Sequence, residues 1–123
     1  SFALELSAEL EVSQIEFLES IWPGHVTVIM QANNSLSQSL KATDNTIALR
    51  VSTHLPIINL LNSFNGLMVS TSANISNFPT SNSLDEVKKI FDDPDVAVYA
   101  HDNGGALKPS SIIDLKTMEY IRE

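Results

Sequence analysis

Arg50 is the residue of this chain whose type and setting point most directly to recognition chemistry. It interrupts an otherwise apolar run, Thr46-Ile47-Ala48-Leu49-Arg50-Val51. A guanidinium in such a run is either paired, turned toward a ligand-filled cavity, or carried on the outward face of a half-exposed strand. One crossover later the chain reads Leu67-Met68-Val69-Ser70-Thr71-Ser72-Ala73-Asn74-Ile75-Ser76. A short apolar run there gives way, without any charge, to hydroxyl and amide side chains. Such side chains donate hydrogen bonds and shape loops through local backbone bonds, and the ordinary reading of such a cluster is a polar turn or helix cap. In open α/β sheets, however, ligands sit beyond the carboxyl ends of the strands, where this cluster is expected to fall. Two neighbouring strands ending in a bidentate cation and a row of neutral donors suit a carboxylate or a phosphate chain.

Other chemistries find little support. His25, His54 and His101 are scattered without metal-ligand spacing, and read as ordinary loop or helix-start histidines. No serine has the flanking glycines of a nucleophile elbow, and no Gly-rich phosphate loop is present. Most acids fall on expected helix faces or in the Asp92–Asp95 turn. Asp102 and Asp114 read as a turn residue and a strand-end residue. With 123 residues and no cysteine, the chain suits one domain with one core, without disulfides or thiolate metal sites. The 43% hydrophobic content and mean hydropathy of +0.04 describe a globular chain. A net charge of −8, with only seven Lys and Arg, argues against non-specific grip on a phosphate backbone. No apolar run approaches a membrane span and no signal-peptide layout opens the chain, so a cytoplasmic domain is the expectation.

The elements that would position these residues follow from pattern. Phe2–Leu6 alternates and predicts a strand, and a strand at the first residue suggests that the natural chain extends upstream. Ser13-Gln14-Ile15-Glu16 reads as a capping box opening a helix, with Ile15, Leu18, Ile21 and Trp22 on its buried face and Pro23-Gly24 as its stop. Val26–Met30 predicts a strand, and residues 31–44 a loop with at most a short helix. Pro56 suits the first turn of a helix that buries Ile57, Leu60, Leu61 and Phe64 and stops at Gly66. Leu67–Val69 predicts a buried strand. Ser83-Leu84-Asp85-Glu86 caps a further helix, Val96–Tyr99 is expected to be a strand, and Ser111–Leu115 and Met118–Ile121 are expected to pair. The sum is an α/β chain of one domain, residues 1–123, with a mixed sheet flanked by helices.

Four blocks in this order and spacing resemble the YrdC-like domain, the family of threonylcarbamoyl-AMP synthases. They are Trp22-Pro23-Gly24-His25-Val26-Thr27, Ile47-Ala48-Leu49-Arg50-Val51, Ser70-Thr71-Ser72-Ala73-Asn74-Ile75-Ser76 and Pro109-Ser110-Ser111-Ile112-Ile113-Asp114. The resemblance runs from about Phe2 to Arg122. It implies a twisted mixed sheet and a reaction in which L-threonine, bicarbonate and ATP give threonylcarbamoyl-AMP and pyrophosphate. The carbamoyl group would then pass, through partner proteins, to tRNA. By the same resemblance Arg50 and Ser70 would bind threonine. Thr46, Ser72, Asn74, Thr80, Ser110 and Arg122 would bind ATP, with Mg²⁺ carried on its phosphates. No covalent nucleophile and no metal held by protein ligands is implied.

The family's Lys-x-Arg signature falls upstream of Ser1, so the chain is expected to be the C-terminal portion of the fold, N-terminally incomplete. Ser52 stands where the family prefers Pro, Asn77 where it prefers Gly, and His25 where it has Pro or a small residue. Asn tolerates the left-handed backbone that such a Gly serves. The alternative is a catalytically incomplete module of the same fold that binds a nucleotide, an RNA or a protein. A carbamoyl-transfer relative of the hydrogenase-maturation type is disfavoured, because the zinc-finger cysteines of that branch are missing.

Overall fold

Apolar residues two apart along Val26–Gln31 and Thr46–Arg50 make the two strands on which the rest of the fold is laid. The computed structural model describes residues 2–81 and 83–123, with the backbone alone at Phe2. The chain divides into two units, Ser1–Thr53 with Ser110–Glu123, and His54–Pro109. In the first, β1 (Val26–Gln31) pairs antiparallel with β2 (Thr46–Arg50) and parallel with β3 (Ser111–Asp114), and β3 pairs antiparallel with β4 (Glu119–Arg122). The sheet order is β2-β1-β3-β4, a mixed sheet as the pattern predicts. Two helices, α1 (Phe2–Glu5) and α2 (Val12–Ile21), accompany it.

The core lies on one sheet face. Leu18 of α2, Val28 and Met30 of β1, and Leu115 just past β3 form a buried cluster. Leu4, Leu10, Phe17, Ile21, Trp22, Val26, Ile47 and Leu49 pack around it. Each such buried aliphatic side chain stabilises the fold by about 1.5–3 kcal/mol. Helix α2 stops where Pro23-Gly24 turns the chain into β1. The Trp22 Nε1–H donates to the Val26 carbonyl (2.9 Å) and the Gly24 N–H to the Val51 carbonyl (2.8 Å). A Cβ at Gly24 would lie 2.7 Å from the Ile21 carbonyl oxygen, so only glycine fits there.

The second unit holds α3 (Leu55–Phe64) and α4 (Leu84–Ile90). Pro56 sits in the first turn of α3, and the Ser83 hydroxyl caps α4 by accepting from the Glu86 N–H, both as their spacing predicts. His54 Nε2 bonds the Asp102 carbonyl at 3.0 Å, and the His101 ring lies against Tyr99 with centroids 4.3 Å apart.

Several expectations are corrected. Phe2–Glu5 is helical, not a strand: Ala, Leu and Glu are strong helix formers, and five alternating residues do not separate the two periods. The side chain of Phe2 lies outside the described residues. Helix α2 begins two residues early. Glu11 is its N-cap, and the Gln14 side chain accepts from the Glu11 N–H, so the box is Glu11–Gln14 and not Ser13–Glu16. Asn65, at φ 56°, and not Gly66, makes the left-handed stop of α3. Neither Leu67–Val69 nor Val96–Tyr99 forms a strand. Both runs have strand composition, but neither is hydrogen-bonded into a ladder, and all six of Leu67, Met68, Val69, Val96, Val98 and Tyr99 are exposed. The expected buried face of α3 is likewise half-buried at Ile57, Leu60 and Leu61 and exposed at Phe64.

Candidate functional site

The alternation that sends Ile47 and Leu49 into the core puts Thr46, Ala48 and Arg50 on the opposite face of β2. Arg50 is exposed there, as the outward-facing reading has it, at the end of an edge strand. Directly across the antiparallel ladder stands Thr27. Opposed residues share a sheet face, with Cβ atoms about 4.5–5.5 Å apart. Thr27 Oγ1 lies 2.8 Å from Ser110 Oγ, immediately before β3. Ser110 is only 8% exposed. Its carbonyl accepts two bonds from Arg122 of β4, from Nε at 3.0 Å and Nη2 at 2.7 Å.

Register and hydrogen bonds therefore line up Arg50 of β2, Thr27 of β1, Ser110 just before β3 and Arg122 of β4. The row offers a free-standing guanidinium at one end, two coupled hydroxyls in the middle, and a second guanidinium anchored to the backbone. Guanidinium and hydroxyl donors in a line are suited to a carboxylate or phosphate oxygen. Thr27 was not among the expected site residues. Its signal was a hydroxyl in a β-branched strand, and it becomes meaningful only once register sets it opposite Arg50.

Thr46 shares the face but not the location. It pairs with Gln31 at the other end of β2, roughly 13 Å along the strand from Arg50. Its hydroxyl donates to Asp44 Oδ1 at 2.6 Å and its N–H to the same oxygen at 3.2 Å. These bonds, the hydroxyl first, hold the Asp44 carboxyl below the ordinary carboxylate range.

The other four expected residues belong to the second unit. Ser70 and Ser72 are exposed on the extended stretch after α3. Asn74 folds back on its own loop, its Nδ2 donating to the Ile75 carbonyl at 3.0 Å and the Phe78 carbonyl at 2.8 Å. The Phe78 N–H closes the same turn on the Ile75 carbonyl, and Asn77 supplies the left-handed residue at φ 68°. Asn74 Oδ1 is shielded and has no hydrogen-bond partner. Thr80 lines an open cavity of about 320 Å³ with Ile75, Phe78, Pro79, Ser81, Glu86 and Ile90. Among the described residues no three His, Asp or Glu side chains are grouped to hold a metal ion.

A mixed four-strand sheet with helices, its core on one face and guanidinium and hydroxyl donors on the other, makes this an α/β domain. The family model Sua5_yciO_yrdC, described as "Telomere recombination", matches residues 2–123, and the chain belongs to that family. It is 33% identical over 116 residues to a threonylcarbamoyl-AMP synthase of Vibrio parahaemolyticus, covering 94% of this chain and 63% of the relative. It is 36% identical over 115 residues to the enzyme of the same name from Buchnera aphidicola, covering 94% and 60%. Among solved structures, E. coli YciO superposes with a TM-score of 0.83 at 23% identity, over 98% of this chain and 60% of that one. P. abyssi Sua5 complexed with L-threonine superposes at 0.69 and 21%, over 94% and 35%. These likenesses establish the YrdC-type fold. The chain thus spans less than two thirds of the length of the relatives it matches.

Proposed function

We propose that this chain carries the threonine- and nucleotide-recognising portion of a threonylcarbamoyl-AMP synthase. The observation that supports this most is the row Arg50–Thr27–Ser110–Arg122, a carboxylate- or phosphate-binding arrangement built on the sheet that the family shares. In this reading Arg50 takes the threonine carboxylate, with Ser70 beside the amino acid. Thr46, Ser72, Asn74, Thr80, Ser110 and Arg122 serve the nucleotide.

The threonine amine and bicarbonate form a carbamate with loss of water. A carbamate oxygen then attacks the α-phosphorus of ATP, a P–O bond forms, and pyrophosphate leaves with the electron pair of the broken P–O bond. The chain's own residues would bind and orient, holding the carbamate in line with the α-phosphorus. Mg²⁺ riding on the triphosphate would neutralise part of its charge. The product would pass through partner proteins to tRNA in the cytoplasm. No helix of the described residues is long and apolar enough to cross a membrane.

The test is to mix the chain with L-threonine, bicarbonate and labelled ATP and to measure pyrophosphate. Threonine-dependent release supports the synthase. A second reading is favoured by the exposure of Arg50, Ser70 and Ser72 to solvent: a module of the same fold that binds a nucleotide or a protein without turning over. Calorimetry with ATP and with L-threonine separates the two. Heat without pyrophosphate identifies the binding module, and no heat with either ligand leaves a protein-interaction role. RNA is the least favoured ligand, given the net charge of −8.

A further inference from the structure

We propose that Thr27 is a positioning residue of this site, acting on the ligand through the Ser110 hydroxyl. The inference rests on the reading above that Ser110 meets a ligand. Ser110 is held twice, from two sides. Arg122 fixes its backbone through two bonds to its carbonyl, at 3.0 and 2.7 Å. Its side chain has one hydrogen-bond partner there, Thr27 Oγ1 at 2.8 Å, on the neighbouring central strand.

A serine hydroxyl otherwise turns among three staggered wells and points its single proton wherever a partner lies. Thr27 removes that freedom. Its own χ1 is stiff because the residue is β-branched and sits in a strand paired on both sides. Its hydroxyl is therefore a fixed point, and the register that fixes it also sets it directly opposite Arg50. One bond partner thus ties the Ser110 rotamer to the strand pair that carries the guanidinium. The chemistry recognised at this point is an oxygen-rich ligand group, a carboxylate or a phosphate, that needs the Ser110 hydroxyl and the Arg50 guanidinium held together.

The residue types separate the roles in an experiment. Thr27→Val keeps the shape and the stiffness and deletes the hydroxyl; Thr27→Ser keeps the hydroxyl and loses the stiffness. Both are made in the full 123-residue chain, with Ser110→Ala and the Thr27→Val/Ser110→Ala double variant. Affinity is read by calorimetry with L-threonine and with ATP as separate probes, which distinguishes a carboxylate ligand from a phosphate one. Thr27→Val should weaken at least one of them by about fivefold, the typical weight of one neutral hydrogen bond. Thr27→Ser, which returns the hydroxyl without the stiffness, should restore part of that loss, and Thr27→Val should add nothing in the Ser110→Ala background.

Unchanged affinity in Thr27→Val overturns the proposal, as do losses that multiply in the double variant. The ligand-free readout is the χ1 coupling of Ser110 by NMR. A single rotamer in the unsubstituted chain that becomes averaged in Thr27→Val supports the positioning role even if neither probe binds. An unchanged coupling overturns it. Failure of the functional reading and failure of this inference are therefore seen in different measurements.

Discussion

The two units of this chain have similar apolar content along their expected strands and very different fates for it. In the first unit Val28 is fully buried, Leu18 is 2% exposed, and four strands share a ladder. In the second, no residue among those described is buried, and Val69, in a run as strand-like as Val26–Met30, is 81% exposed. Composition makes a segment competent to be a strand, while a hydrogen-bonded neighbour makes it one. The first unit supplies such neighbours from its own sequence. The second presents Leu67–Val69 and Val96–Tyr99 without them.

The largest expected contrast is therefore between matched truncations. Leu18→Ala should lower stability by about 2–5 kcal/mol, whereas Val69→Ala should fall within about 0.5 kcal/mol of the unsubstituted chain. Urea midpoints measure both, and equal losses would erase the distinction between the units. Gly24→Ala comes next. The added methyl meets the Ile21 carbonyl at 2.7 Å in backbone that also holds the Val51 bond, so a loss of about 1–3 kcal/mol is expected, again from the urea midpoint.

A smaller and local effect is expected at Asn74. Asn74→Ala removes both bonds that clamp the 74–78 turn. Hydrogen exchange at the Phe78 amide should quicken by about tenfold while the Val28 and Ile113 amides keep their protection. If sheet protection falls equally, the two units are not energetically separate. The smallest effect concerns Asp44. The Thr46 bonds lower its folded pKa, so their stabilisation is complete above the ordinary carboxylate pKa and is lost as pH falls through the lower folded value. Thr46→Val should move the Asp44 titration upward, read from its side-chain carbon shift. It should destabilise more at neutral pH than in acid.

Much of the first unit was legible in the residues. The β-branched runs at Val26 and Thr46, the helix stop at Pro23-Gly24 and the terminal hairpin all declare themselves locally, because each is set by short-range pattern. The Ser83 cap and Pro56 are equally local signals. What escaped is what depends on distant partners or competing periods. Phe2–Glu5 satisfied two periodicities at once. The strands expected at Leu67 and Val96 needed neighbours that no local window shows. At the site, Arg50 stood out as a charge in an apolar run. Thr27 did not, because its meaning comes from a register with Arg50 and a hydrogen bond to a residue 83 positions away.

The central proposal, that Arg50 at the end of the row across the sheet takes the threonine carboxylate, is tested most directly by titrating L-threonine into the ¹⁵N-labelled chain and into Arg50→Gln. The expected result is a set of shift changes centred on Thr27, Arg50 and Ser110 that disappears when the guanidinium is removed. Shift changes that survive in Arg50→Gln, or that leave those three residues unmoved, would contradict it.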